Sequence, residues 1–467
     1  MSEYLFVEKP FLDQLDVLGW EVIDQGPDIP QDPSKSLRSG FMEITLKHIF
    51  KECVKRINTT DDGQTWLKDK QLDDLHKEIT SQTGTNLHVI NEKVLQLLYR
   101  IQVDKNELTG EEEPNVLLID FKVPENNTFH AINQFRVDTP AGVKKFIIPD
   151  IVLFVNGLPL VVVECKDINQ MEANPMSEAF KQLMRYSEQR EETKAAGLKE
   201  GAPRLFHANQ LIIRTTGEQC EFGTITSTKE EFFNPWRDIH PQEYRTFESP
   251  LGKERPQETL IQGMLPKGTL LDIVRNCTLF MDAGQSRIKI ACRYQQYRAM
   301  VKIVDNLRTG KTPDDRSGIV WHTQGSGKSL TMVFLIRKLR HSEDLKDFKV
   351  CLINDRTDLE DQLGETASLT GENVTFIESK SELRDKLRTD SSNLNMVMVH
   401  KFQEQRDNNP EYLRDALQST NNRDLQSHTA EQQGKYKRTF EALPTTEIFG
   451  VVNESDRILL MLSLIHI

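Results

Sequence analysis

The stretch Phe146-Ile-Ile-Pro-Asp-Ile-Val-Leu-Phe-Val-Asn-Gly-Leu-Pro-Leu-Val-Val-Val-Glu-Cys-Lys166 constrains this chain more than any other. It reads as two strands of β-branched and aromatic residues joined at Asn156-Gly157, a strong signal for a tight hairpin. Asp150, Glu164 and Lys166 interrupt these otherwise apolar strands. Charges in a half-buried sheet are costly unless something pairs with them, and a divalent cation would pair with two carboxylates at once.

Side chains alternate across a strand, so Glu164 and Lys166 share a face. A strict two-residue loop pairs Asp150 with Val163 and sends it to the other face. Convergence therefore requires a connection of odd length or a bulge. Pro159, which cannot donate to a ladder, points to such an irregularity, and counting Leu158 in the loop puts Asp150 opposite Glu164. The expected site then has Asp150 and Glu164 as Mg²⁺ ligands, a backbone carbonyl at Cys165, and Lys166 beside a metal-bound water. A hairpin with polar residues at its solvent end would carry the same letters.

Pro149-Asp150 followed by Glu164-Cys165-Lys166 resembles the PD-(D/E)xK nuclease core. Downstream, Gln182 and Tyr186 lie one helical turn apart in Ala179-Phe-Lys-Gln-Leu-Met-Arg-Tyr186. This element is similar to the Gln-x-x-x-Tyr helix that follows the nuclease core of type I restriction subunits. The resemblance implies a catalytic set of Asp150, Glu164, Lys166, Gln182 and Tyr186. Glu8, just before the amphipathic segment Phe11 to Trp20, is a candidate additional carboxylate, with a solvated side chain as the preferred reading.

The chain has 467 residues, 37% of them hydrophobic and 28% charged, enough for two or three domains with cores of their own. Its apolar runs are too short for a membrane span and its start lacks a signal-like core, so a cytoplasmic protein with no membrane partner is expected. Six cysteines are scattered without a C-x-x-C pair, which suggests neither a disulfide framework nor a zinc site. A formal net charge of −12 argues against a protein that coats nucleic acid by bulk charge. A DNA partner would be held by local basic patches or presented by another subunit.

Along the chain, Phe41 to Ile57 reads as a helix, and Val116-Leu-Leu-Ile-Asp-Phe121 and Phe129 to Val137 read as strands leading into the central hairpin. Leu211 to Thr215 and Cys220 to Ile225 would close a mixed sheet flanked by helices. Residues 241–290, rich in turn residues with one helix at Leu270 to Asn276, read as a helical connector.

A second chemical element follows: Trp321-His-Thr-Gln-Gly-Ser-Gly-Lys-Ser329, between an expected strand Ser317 to Trp321 and an expected helix Leu330 to Leu339. Strand, glycine-rich turn and helix N-terminus suit a phosphate. Lys328 would reach the β/γ-phosphates of ATP and Ser329 would ligate Mg²⁺. The full P-loop pattern fails at its first position, His322. The loop, with Thr323, Gly325, Ser326 and Gly327, resembles motif I of superfamily 2 translocases. Gln296 in Arg293-Tyr-Gln-Gln-Tyr-Arg298 looks like their adenine-reading glutamine, Asp355-Arg-Thr-Asp-Leu-Glu-Asp-Gln362 like motif Ia, and Met396 to Gln403 like the next strand and DNA-contacting turn.

Nuclease core, Gln-x-x-x-Tyr helix, connector and superfamily 2 ATPase, in that order, resemble the R (restriction, HsdR) subunit of type I restriction-modification enzymes. The expected domains are a PD-(D/E)xK endonuclease over 1–240, the connector over 241–290 and a truncated RecA-like α/β lobe over 291–461. The resemblance implies double-stranded DNA as substrate, Mg²⁺ and ATP as cofactors, and modification (M) and specificity (S) subunits as partners. The family's Asp-Glu-x-His strand end is not met after Asp456-Arg-Ile-Leu-Leu-Met461. Residues 462–467 are one translation of CTGTCTCTTATACACATC, a transposase adapter, and are expected to be a non-native tail. The rival expectations are a non-catalytic, ATP-gated DNA-binding module with a vestigial nuclease, and a helicase-like repair ATPase.

Overall fold

The computed structural model describes residues 2–463 except 61, 169–173, 242–254, 324, 355–363, 365, 390, 400–452 and 454. They fall into two units, Met1–Asn306 and Leu307–Ile467.

The first unit is organised by the Asn156-Gly157 turn, whose residues both take positive φ (48° and 76°), the conformation a tight hairpin requires. Seven strands form its sheet: β1 (Glu21–Ile23), β2 (Phe129–Asn133), β3 (Ile151–Val155), β4 (Leu158–Cys165), β5 (Leu211–Thr215), β6 (Cys220–Gly223) and β7 (Asn234–Pro235), lying in that spatial order. β1 runs parallel to β2 and β4 parallel to β5, and the other neighbours are antiparallel. The central β3 and β4 are buried at every position, which is why they read as continuous apolar runs.

The hairpin's irregularity is a bulge. Leu158 pairs with Val155 and Pro159 with Phe154, then the register shifts so that Val161 faces Leu153 and Val163 faces Ile151. Leu160 is the extra residue. Leu158 thus belongs to the strand and not to the loop, and the shift brings Asp150 opposite Glu164 with the two-residue turn intact.

Helices surround this sheet: α1 (Lys9–Val17), α2 (Lys47–Ile57), α3 (Asp69–Thr80), which packs on α2, α4 (Leu87–Tyr99) and α5 (Pro175–Tyr186). α2 starts six residues later than its sequence suggested, because Leu46 N donates to Gly157 O (2.9 Å) and the chain before it is held against the hairpin turn. Val116–Phe121 is not a strand beyond Val116. The Asp120 carboxylate accepts from Lys122 N and Val123 N, both at 3.0 Å, and bends the chain.

The stretch expected to be a helical connector holds two helices, α6 (Pro256–Met264) and α7 (Lys267–Asn276), and also a hairpin of β8 (Thr278–Ala283) and β9 (Ser286–Ala291). Alternating apolar residues around Gly284-Gln285 were the available signal. Lys289 of β9 is fully buried and donates to Asn91 Oδ1 (2.9 Å), Asn209 O (2.7 Å) and Gln210 Oε1 (2.8 Å), one acceptor for each ammonium proton.

In the second unit an all-parallel sheet has β10 (Lys349–Asn354) in the middle, flanked by β12 (Leu394–Met398) with β11 (Val374–Ile377) beyond it, and by β13 (Ile458–Ser463). The helix α8 (Tyr294–Thr309) runs across the boundary between the units in sequence, and α9 (Lys328–Arg340) follows the glycine-rich loop. Ser317–Trp321 is not a strand: no described strand pairs with it, and Ile319 and Trp321 are 94% and 80% exposed. The motif Ia residues and most of the polar stretch before β13 lie outside the described residues. Among those described, no helix is long and apolar enough to cross a membrane.

Candidate active site

Asp150 sits just before β3, where its backbone is pinned twice: Gln134 N donates to Asp150 O (2.7 Å) and Phe135 N to Pro149 O (2.9 Å). Its Oδ2 accepts from Cys165 N at 2.7 Å, a bond from β4 that the bulge-corrected register makes available. Glu164, completely buried, receives Lys166 Nζ on Oε1 at 2.8 Å, and its Oε2 is buried without a hydrogen-bond partner. Lys166 Nζ also donates to Cys165 O (2.7 Å) and lies 3.9 Å from Asp150 Oδ2 and 3.7 Å from Glu3 Oε2.

α5 explains how Gln182 and Tyr186 bear on this cluster. The helix is capped by the Asn174 side chain, which accepts from Ser177 N, and Pro175 opens its first turn. One turn apart on its face, Gln182 Nε2 donates to Tyr186 Oη (3.2 Å), and Tyr186 Oη donates to Ile148 O (3.0 Å), two residues before Asp150. The pair thus braces the backbone that presents Asp150 and does not enter the carboxylate cluster by these bonds.

Glu8 corrects its expectation. It is 2% exposed, because the N-terminal helical turns pack on the sheet, and Gln134 Nε2 donates to both its oxygens at 3.1 and 3.0 Å. Glu3, Glu8 and Asp150 offer oxygens within 4.8 Å of one another. Glu3 and Gln134 had no local sequence signal, since each is an ordinary polar residue brought in from far along the chain.

Electrostatics follow from this crowding. Burial first, then Glu164 and the other carboxylates, push Asp150 well above the usual range, and burial raises Glu164 against the pull of Lys166. Burial, opposed by the Gln134 hydrogen bonds and helped by Glu3, raises Glu8 to about 7. Burial alone would lower Lys166, but Glu164, Asp150 and Glu3 outweigh it and raise it. The oxygens of Glu3, Glu8 and Asp150 lie together, and Glu164 beside them keeps one buried oxygen without a partner; these are all-oxygen donors of the kind that suit a hard divalent cation such as Mg²⁺.

In the second unit, Gly325 and Gly327 take positive φ (75° and 80°) as the loop turns into α9. Ser326 N and Oγ donate to Thr323 O (3.2 and 2.6 Å), closing the turn, and Lys328 Nζ donates to His322 O at 3.2 Å. Ser329 occupies the first turn of the helix, so backbone N–H groups and the helix N-terminus suit a phosphate group. Gln296 lies in the first unit, where its Oε1 accepts from Arg293 N (2.8 Å) in the first turn of α8.

Comparison with known proteins agrees with both regions. Residues 1–231 match the model of the type I restriction enzyme R protein N terminus (HSDR_N), and residues 295–462 that of the SWI2/SNF2 ATPase. The type I restriction enzyme HindI endonuclease subunit of Haemophilus influenzae is 31% identical over 389 residues, covering 82% of this chain and 34% of that protein. A putative type I restriction enzyme MjaIXP endonuclease subunit of Methanocaldococcus jannaschii is 24% identical over 419 residues, covering 86% and 37%. The SsaAORF53P endonuclease subunit of Staphylococcus saprophyticus is 27% identical over 339 residues, covering 70% and 32%. The chain thus spans about a third of the length of these relatives. With an HsdR-type N-terminal domain followed by an SNF2-type ATPase region, it belongs to the R-protein family of type I restriction enzymes.

Proposed function

We propose that the chain carries the Mg²⁺-dependent endonuclease domain of a type I restriction R subunit over residues 1–240, a connector over 241–290 and the first lobe of its ATP-driven DNA motor over 291–461. The observation that carries the reading is the convergence of Asp150, Glu164 and Lys166 across a bulged hairpin whose strands are otherwise apolar.

In this reading Asp150 and Glu164 hold the metal, which when bound supplies Lewis-acid activation of a scissile phosphodiester of double-stranded DNA and of the water that attacks it. Lys166, fixed by Glu164 and the Cys165 carbonyl, orients that water. Gln182 and Tyr186 keep Asp150 in place through Ile148 O. Thr323, Gly325, Ser326 and Gly327 form the phosphate loop, Lys328 contacts the β/γ-phosphates of ATP, Ser329 serves its Mg²⁺ and Gln296 reads the adenine. Recognition of the DNA sequence belongs to partner M and S subunits, which suits the acidic net charge of −12, and the assembly works in the cytoplasm.

Nicking of supercoiled plasmid in Mg²⁺, by the 467-residue chain alone and with M and S subunits, tests the nuclease assignment. Cleavage that disappears in Asp150→Asn and Lys166→Ala supports it. Cleavage that survives both substitutions overturns it.

A further inference from the structure

Arg185 ends α5, one residue before the tyrosine that braces Asp150. Its Nε is buried and makes no hydrogen bond, its guanidinium carbon lies 5.1 Å from the Tyr186 ring centroid, and among the described residues it has no ion-pair partner. A buried donor left in this state costs about 1–3 kcal/mol and calls for an explanation.

The fold also brings Lys144 to it. Lys144 lies in the loop between Val137–Asp138 and Phe146–Ile147, and Val143 N donates to Lys199 O at 2.7 Å. Two residues on, a Cβ at Gly201 would stand 2.3 Å from both Arg185 O and Tyr186 O, and Ala202 N donates to Tyr186 O at 2.9 Å. Loop, intervening segment and helix end are thus fastened side by side. Arg185 is the largest influence on the Lys144 ammonium and holds it below the usual lysine value. Burial and Arg190 act in the same sense, and Glu200 opposes them. Glu200 does not neutralise the pair, because Arg190 Nε (2.8 Å) and Thr193 Oγ1 (2.5 Å) already occupy it. The Arg185 charge also reaches Glu164 and the Tyr186 phenol.

Two cations that share only a carboxylate already bound by Arg190 and Thr193, set beside a cluster of carboxylates, are arranged for an anion that must approach an acidic site. A guanidinium fork with an exposed ammonium next to it suits a phosphate. We propose that Arg185 and Lys144 form a phosphate-binding site that seats the DNA backbone beside the phosphodiester to be cut. The proposal rests on the nuclease reading above and names how its substrate is held.

The test is equilibrium binding of a fluorescein-labelled DNA duplex to the 467-residue chain in EDTA, titrated with salt. Lys144→Ala, an exposed change that spares the core, and Arg185→Ala should each weaken binding and flatten the plot of log affinity against log salt by about 0.9 for each phosphate no longer neutralised. Arg185→Lys should recover part of the affinity. Parent-like affinity and salt slope in both alanine variants, or no duplex binding by the parent chain, overturns the site. Mg²⁺-dependent nicking, read in parallel, separates the two claims. A parent that binds through Arg185 and Lys144 but never cuts keeps the site and sinks the nuclease reading. A parent that cuts while both variants bind as it does sinks the site alone.

Discussion

At the carboxylate cluster the groups are fixed by the protein itself: Asp150 by the backbone N–H groups of Gln134 and Cys165, Lys166 by Glu164 and the Cys165 carbonyl, Glu8 by Gln134. At the glycine-rich loop the described residues lie near the surface, no described strand pairs with the chain leading into it, and Lys328 rests on the carbonyl of His322. The contrast traces to the sheets. The cluster hangs on the two innermost strands of a seven-stranded sheet, whereas the loop follows a segment with no described strand beside it. A site on interior strands inherits their rigidity, and a site between elements depends on what is packed next to it.

The largest effect expected of this contrast is at the cluster. Lys166→Ala or Asp150→Asn should lower Mg²⁺-dependent plasmid nicking by about 10²–10⁴-fold, a loss of the size that removing one positioned catalytic side chain brings. A fall of less than about tenfold would break the picture of a prebuilt site. At the loop, Lys328→Ala should weaken binding of a fluorescent ATP analogue by about tenfold or more, the equivalent of one charge-assisted hydrogen bond. Unchanged affinity would mean that the loop does not hold phosphate in this chain.

Two glycines sharpen the comparison further. A Cβ at Gly157 would meet Leu46 O at 2.4 Å and Phe50 N at 2.9 Å, while one at Gly325 meets nothing within 4 Å, although both have positive φ. Gly157→Ala should therefore destabilise by more than the roughly 1 kcal/mol that backbone conformation alone costs at Gly325→Ala, measured by urea unfolding of each variant. Equal destabilisation would show that packing around the hairpin turn is looser than these distances imply.

The smallest effect is one of pH. Burial, with Lys47 acting in the same sense, lowers His76 to about 4, and burial with Arg204 lowers His207 to about 4. A histidine held neutral in the folded state binds protons more readily once unfolded, so the stability it contributes is present above an unfolded value of about 6.5 and is lost as pH falls toward 4. Glu8, Asp150 and Glu164, all raised, act in the opposite sense, so the histidine part is read as a difference: the thermal midpoint of the parent chain minus that of His76→Gln should fall between pH 7 and pH 5. A flat difference would place the charged imidazole comfortably within the fold.

Much of the first unit was legible because its signals are local. Period-two apolar runs around Asn156-Gly157 gave the hairpin, and i, i+4 spacing gave Gln182 and Tyr186. Parity arguments left two ways for Asp150 to reach Glu164, and only the packing of β4 decides for the bulge at Leu160. Glu3 was hidden and Glu8, though a candidate, was taken for solvated, since burial of a polar residue is a tertiary fact with no local pattern. Ser317–Trp321 was misread for the reverse reason: its letters suit a strand, but a strand exists only with a neighbour to hydrogen-bond.

Leu160 also has a mechanical meaning. Its carbonyl accepts from Gln210 N (2.7 Å) and Asn209 Nδ2 (3.3 Å), and these same two residues supply acceptors to the Lys289 ammonium. The residue that aligns the carboxylates is therefore the near end of a short tether whose far end is the β8–β9 hairpin. A tug on that hairpin arrives, two hydrogen-bonded links later, on the strand that carries Glu164.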